Sequence, residues 1–319
     1  MKKPKILVVG SFVMDLIVTT ERFPNAGETV IGCGFTTAPG GKGANQAVQA
    51  ARLGADVTMV GKIGNDDFGR QIIRSANESG VNTQYVIFSD TAPTAIGNVQ
   101  IQSDENGTEN RIIVVPGANM EITVDDITFL EDRVSDFDMV ILQNEIPMEI
   151  NVQVAKYANA SGVPVMLNPA PSNTIPKELL SYLTYISPNE HEAADMVGFA
   201  IDSAKTRKDA VLKLKHLGVE NVLITLGKNG CVFDDGAVTI HSSSVDCGKV
   251  VDPTAAGDSF IGAFCVAAVA GIPIDQALLF ANCTAGITVS RMGAQTSLPT
   301  LDEVLNIMKN RGFNYECFE

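Results

Sequence analysis

Two small-residue turns, each running into an apolar helix, carry the residues whose types and spacing could do chemistry. The first is Gly40-Gly41-Lys42-Gly43-Ala44-Asn45-Gln46-Ala47. Glycines there let backbone N–H groups approach a ligand closely, and Asn45, on the first helical turn, offers hydroxyls both an amide donor and an acceptor. The turn lacks the G-x-x-x-x-G-K-[ST] spacing of a phosphate-binding loop, and a bare glycine turn of this kind is more often structural than functional, so alone it decides little. The second is Val251-Asp252-Pro253-Thr254-Ala255-Ala256-Gly257-Asp258-Ser259-Phe260, opening a helix whose apolar face is Phe260, Phe264 and Ala268. The N–H groups of Ala255, Ala256 and Gly257 are expected to converge at the positive end of that helix and form an anion hole. Asp258 has two readings, a helix-capping carboxylate or a general base that takes a proton from an attacking hydroxyl while the hole holds transferred phosphoryl charge. The coincidence of base and hole within one turn favours the second.

Repeated β-α-β punctuation must position these turns. Ile6 to Val9, Val57 to Val60, Met139 to Leu142, Val163 to Leu167, Tyr185 to Ser187 and Val222 to Leu226 read as buried parallel strands. Helical patterns lie between them, such as Ala44 to Leu53 before Gly54 and Ala210 to Leu217 before Gly218. The pattern predicts an α/β fold, a doubly wound, mostly parallel sheet flanked by helices. Ser187-Pro188-Asn189-Glu190 and Thr225-Leu226-Gly227-Lys228-Asn229-Gly230 follow strands, at the carboxyl ends where such sheets bind ligands. Two segments, 16–37 and 94–116, alternate polar and apolar residues instead, and Asn106-Gly107 in the second is a hairpin signal. They are expected to pair into a small accessory sheet over one end of the main one, within a single domain spanning 1–319.

With 37 acidic residues against 23 basic, the net charge is −14, which leaves a nucleic-acid partner no electrostatic footprint. The six cysteines lie far apart with no C-x-x-C pair, the pattern of free buried thiols in a reducing compartment. The apolar run of the N-terminus is too short for a signal sequence, and Ser259 to Ile272 stops at Pro273, short of a membrane span. A cytoplasmic location follows as the expectation. His191, His216 and His241 are isolated, and Asp66-Asp67 reads as a helix start.

The two turns, together with Asn168-Pro169-Ala170-Pro171, Pro188-Asn189-Glu190, Ile224-Thr225-Leu226-Gly227 and Gly293-Ala294-Gln295, occur in an order that resembles the ribokinase group of the phosphofructokinase-B carbohydrate kinase family. The resemblance covers nearly the whole chain. It implies transfer of the γ-phosphoryl group of MgATP to the primary hydroxyl of a pentose, with ribose ahead of 2-deoxyribose and other sugars or nucleosides further back. It also implies a β lid that closes over the sugar and joins two copies as a homodimer. By motif position Asp258 is the base, with Ala255, Ala256 and Gly257 as its anion hole. Asp15, Gly41, Lys42, Gly43, Asn45 and Glu145 surround the sugar. Asn189, Thr225, Leu226, Gly227, Gly230 and Asn282 contact ATP, and Glu190 acts on Mg2+ through water. Asp252, Thr254, Thr288, Arg291, Gly293 and Ser297 hold an activating monovalent cation such as K+.

Three positions depart from the family pattern. Val13 stands where the motif after strand one usually carries a sugar-binding Asn, which opens the pocket to a sugar lacking the 2-hydroxyl. Pro253 and Ala255 replace Thr and Gly, and Ala255 is strained if its φ must be positive. A sensor that binds without turnover would have little need of Asp258, and a dinucleotide-binding oxidoreductase would need a G-x-G-x-x-G that Val9-Gly10-Ser11-Phe12 does not supply.

Overall fold

Ile6 and Val8 point to one side of the first strand and Leu7 and Val9 to the other, and all four are fully buried. A strand covered on both faces reads as a continuous apolar run, and this one lies at the centre of a sheet with helices on both sides. The structure, a computed structural model, describes residues 3–104 and 107–318. In chain order the strands are β1 (Lys5–Val9), β2 (Val13–Thr20), β3 (Gly34–Gly40), β4 (Asp56–Gly64), β5 (Val81–Ser89), β6 (Ile96–Asp104), β7 (Gly107–Val115), β8 (Met139–Gln143), β9 (Val165–Asn168), β10 (Tyr185–Ile186), β11 (Asn221–Thr225), β12 (Cys231–Asp234) and β13 (Thr239–Ser242). Nine of them form the main sheet in the order β13-β12-β11-β10-β9-β8-β1-β4-β5. All its pairings are parallel except β11 with β12 and β12 with β13. The chain leaves β1 in one direction to β4 and returns on the other side at β8, so the strand order reverses beside β1, where a crevice opens at the carboxyl ends.

Three strands of this sheet escaped the apolar runs. β5 is an edge strand half open to solvent, and its Asn82-Thr83-Gln84 breaks the run, while β12 and β13 are four-residue hairpin strands. Asp66 is the helix start expected, capping the helix Asp67–Glu78 by accepting from the Gly69 N–H at 2.8 Å. The six cysteines are free as expected, although Cys33 is exposed and Cys247 and Cys317 are only half-buried. No helix among the described residues is long and apolar enough to cross a membrane.

The second sheet has four strands in the order β3-β2-β6-β7. It begins at Val13 and reaches Gly40, wider than the segment 16–37, so Val13 and Asp15 sit on this sheet. β6 and β7 are antiparallel, as a hairpin requires, but Asn106 of the Asn106-Gly107 signal lies outside the described residues.

Candidate active site

Five adjacent parallel strands deliver one polar residue each at or just beyond their carboxyl ends. Across the sheet from β11 to β1 these are Thr225, Ser187, Asn168, Gln143 and Ser11. The N-terminal turns of two helices, Lys42–Arg52 and Ala256–Val269, lie over this row. Gly43 allows the first helix to sit so low, since a Cβ there would fall 2.6 Å from the Ser11 nitrogen.

Asp258, buried on the first turn of the Ala256–Val269 helix, does not cap it. Its Oδ2 accepts from Asn45 Nδ2 at 2.9 Å and its Oδ1 from Gln46 Nε2 at 3.0 Å. The capping reading of this carboxylate therefore fails, and two amides from the neighbouring helix fix its orientation. The Asn45 Oδ1 is buried and unpartnered, aimed away from the carboxylate its own nitrogen holds. Around Asp258 a cavity of ≈210 Å³ is lined by Lys42, Asn168, Ser187, Asn189, Glu192, Thr225 and the Pro253 to Gly257 turn, among others.

The anion hole differs from expectation at one position. The Ala256 N–H donates to Pro253 O at 3.2 Å and closes a turn, so it is already engaged. Among the described residues the N–H groups of Ala255, Gly257 and Asp258 make no hydrogen bond within the chain. Ala255 adopts φ 61°, a left-handed conformation that L side chains rarely take, so the strain foreseen for Ala at this position is present. Strain held at this point, with free donors on either side, is what a site for an anion would retain.

The carboxylates that sequence reasoning grouped around a sugar are also together. Glu145 Oε2 accepts from the Ser11 hydroxyl and from the Lys42 N–H at 2.9 Å, seated on the N-terminus of the first helix. Asp15 stands beside it, and burial, with the Glu145 charge, pushes the Asp15 carboxyl up to about 6. Burial alone would lower the Lys42 ammonium, but Asp258, Glu145 and Glu192 together hold it above its ordinary range. Lys42 thus links the Asp15 and Glu145 side of the crevice to the Asp258 side.

Glu190 is not in this group. Its carboxylate lies 3.9 Å from Arg207 Nη1 and is not among the cavity-lining residues. Glu192 is the acid that enters the cavity; burial, then Asp258 and Asp195, raise its carboxyl above the usual range. The signal for Glu192 is the capping box: Asn189 Oδ1 accepts from the Glu192 N–H and Glu192 Oε2 from the Asn189 N–H, both at 2.8 Å, which points the acid back at the strand ends. The Asn189 Oδ1 is consequently committed to its own helix.

Of the other nucleotide-side residues, Thr225 opens on the cavity and pairs as a bridge with Asn189. Gly227 and Gly230 shape the turn between β11 and β12, whereas the Leu226 side chain is buried in the core and contributes only backbone. Asn282 is buried and donates to Ser242 Oγ at 3.0 Å, bracing the end of β13.

The loop residues expected around a monovalent cation are only partly assembled. Asp252 Oδ1 accepts from the Thr254 N–H and hydroxyl at 2.9 and 2.6 Å, and its Oδ2 from the Gly293 N–H at 2.9 Å. The Arg291 guanidinium pairs with Glu303, the Thr288 hydroxyl donates to its own helix at Thr284 O, and the Ser297 hydroxyl to Ala294 O. Those three side chains are therefore directed elsewhere, and any part they take is through main-chain oxygens. The loop is tied to the first helix, because Arg52 Nη1 donates to Gln295 O and Leu298 O at 2.8 and 2.7 Å and Gln49 Nε2 to Pro299 O at 3.0 Å.

With this geometry in place, comparison with known proteins is informative. Residues 3–301 match the model of the pfkB family carbohydrate kinases. The ribokinase of Bacillus subtilis (strain 168) is 42% identical over 306 residues, covering 95% of this chain and 99% of that protein. Among solved structures, that of Arabidopsis thaliana ribokinase complexed with ribose and ATP superposes with a TM-score of 0.90 at 38% identity, covering 96% of this chain and 99% of that one. Thermotoga maritima ribokinase gives a TM-score of 0.86 at 36% identity, with 96% and 99% covered.

Proposed function

The chain belongs to the pfkB family of carbohydrate kinases, and we propose that it transfers the γ-phosphoryl group of ATP to the primary hydroxyl of D-ribose, giving D-ribose 5-phosphate. The observation that carries this reading is Asp258, a buried carboxylate oriented by two amides between a cavity reaching Thr225 and the Asp15–Glu145 group under the small sheet. Similarity to a ribokinase complexed with ribose and ATP supports both substrates.

Asp258 takes the proton of the attacking hydroxyl, and the N–H groups of Ala255 and Gly257, backed by the helix dipole, receive the charge of the transferred phosphoryl group. Asp15, Glu145 and the unpartnered Asn45 Oδ1 hold the sugar hydroxyls, on a turn shaped by Gly41, Lys42 and Gly43. The nucleotide lies along Asn189, Thr225 and the Gly227 to Gly230 turn, toward Asn282.

Two ions fit the residues present. Glu192 and the buried, unpartnered Ser187 hydroxyl open on one cavity and would hold Mg2+. Among the described residues no group of three or more acidic, His or Cys side chains could cage a metal, so phosphate oxygens and water would complete its shell. When bound, Mg2+ supplies neutralisation of phosphate charge. Asp252 and the main-chain oxygens of the loop through Gly293 and Ser297 form an oxygen-only set suited to K+. The small sheet acts as a lid and joins two copies as a homodimer, supported by the apolar residues exposed on it at Phe35 and Ile112 to Val115 and by Ile31 in the loop before β3. Six free thiols support a reducing, cytoplasmic setting.

2-Deoxyribose is a second acceptor favoured by Val13, which lies two residues from Asp15 on the same face of β2 and offers no hydrogen bond. The test is ADP release with ribose, 2-deoxyribose, fructose, adenosine and pseudouridine. Ribose is expected to give the highest kcat/KM, and no turnover with either pentose would sink the reading. Asp258→Asn should lower kcat by about 10²- to 10⁴-fold with little change in the KM for sugar.

A further inference from the structure

Gln143 closes β8 as a fully buried amide, between Asn168 of β9 and the close approach of Gly10 after β1. Its Oε1 has no partner, and an orphaned buried acceptor is destabilising. Its Nε2 donates to Gln46 Oε1 at 2.7 Å. That donation fixes which way the Gln46 amide faces. With its oxygen held by Gln143, Gln46 turns its nitrogen outward, giving one hydrogen to Asp258 Oδ1 at 3.0 Å and the other to Asn168 Oδ1 at 3.1 Å. The Asn168 amide is fixed in turn, because its nitrogen donates to Ser187 O at 3.0 Å and leaves its oxygen to accept. Each of these amides therefore has a defined polarity, one branch ending on Asp258 Oδ1 and the other on Ser187 O. Were Gln46 to flip, its carbonyl would face Asp258 and repel it.

We propose that Gln46 and Gln143 are positioning residues for Asp258: Gln46 holds the carboxylate in the orientation that accepts the sugar proton, and Gln143 acts only through Gln46 by setting the direction of its amide. The inference rests on Asp258 being the base. Neither glutamine is among the residues expected to touch sugar or nucleotide, and their effect falls on kcat. The charged groups facing Asp258 from other elements are the Lys42 ammonium on the first helix and the Glu192 carboxylate on the helix Glu190–Val197. Both remain in the variants below, so a fall in kcat at unchanged KM reports the amide relay.

The test is steady-state kinetics of the full chain with ribose and ATP, from pH 5 to 9, for Gln46→Leu, Gln143→Met, the double variant and Asp258→Asn. Gln46→Leu is expected to lower kcat about 10- to 100-fold, part of what a well-placed general base supplies, with the KM for ribose little changed. Gln143→Met should give a smaller loss of the same kind. The double variant should be no worse than Gln46→Leu alone, since a residue acting through another adds nothing once that other is gone. Losses that multiply in the double variant, or Gln46→Leu within twofold of wild type at every pH, would overturn the relay. If Gln46→Leu does not fold, Gln143→Met decides the matter: a reduced kcat with the KM for ribose unchanged supports the proposal, and wild-type kinetics refutes it. An active Asp258→Asn would instead overturn the base assignment itself, and so separates the two failures.

Discussion

Asp15 shows how a single carboxyl can serve a site at the expense of the fold. Its carboxyl is raised by burial and by Glu145 from 3.8 to about 6, so the folded chain holds this proton more tightly than the unfolded one. Stability from this group is therefore greatest at low pH and falls as pH rises from about 4 through about 6. At pH 7.5 Asp15→Asn should raise Tm, and the gain should vanish toward pH 4; thermal melts across pH would show it, and a gain independent of pH would refute it. Sugar binding needs the ionised form as acceptor, so the KM for ribose should rise below about pH 6, in wild type only. The residues of the two turns were legible in sequence because their chemistry is local: a carboxylate, small residues and a helix start lie within one turn. Glu192 was not, because its entry into the site depends on a capping box turning it back toward the strand ends. Nor was the engagement of the Ala256 N–H, which a turn to Pro253 takes up.

At the scale of elements, the site depends on how closely two helices approach. Asn45 and Gln46 reach Asp258 only because the Lys42–Arg52 and Ala256–Val269 helices pack with Gly262 at their contact, where a Cβ would lie 3.0 Å from Gln46 O. In Gly262→Ala the Gln46 carbonyl must give by a few tenths of an ångström, and such overpacking costs about 1–3 kcal/mol. Denaturant melts should show that loss, and kcat should fall with it, because the displaced carbonyl belongs to Gln46. A destabilised variant with wild-type kcat would separate packing from positioning. The central strands were legible because burial on both faces leaves continuous apolar runs. β5, β12 and β13 were not, since edge and hairpin strands are short or half-exposed and their pairing depends on distant partners.

Across the whole molecule, the charge of −14 and the shape of the small sheet act on different partners. A negative surface offers phosphate no general attraction, so nucleotide must be held by helix N-termini and ions at one place. The small sheet, by contrast, carries apolar residues outward, with Phe35 and Ile113 at 67% and 64% exposure and Ile31 at 86% in the loop leading into β3, and β7 is an uncovered edge. An exposed apolar edge strand is a pairing surface. If two copies pair through this edge as proposed, the wild-type chain should sediment as a dimer and Ile113→Lys as a monomer, and a wild-type chain already monomeric at micromolar concentration would refute the interface. The helix Lys42–Arg52 joins distant parts of the structure, with the donors to Asp258 near its start and, at its end, Arg52 and Gln49 on the loop that carries Gly293 and Ser297. Fraying at either end would release one of these tethers, so this helix belongs to the last cooperative unit to open, and its amide protons should exchange with deuterium only when the whole fold does.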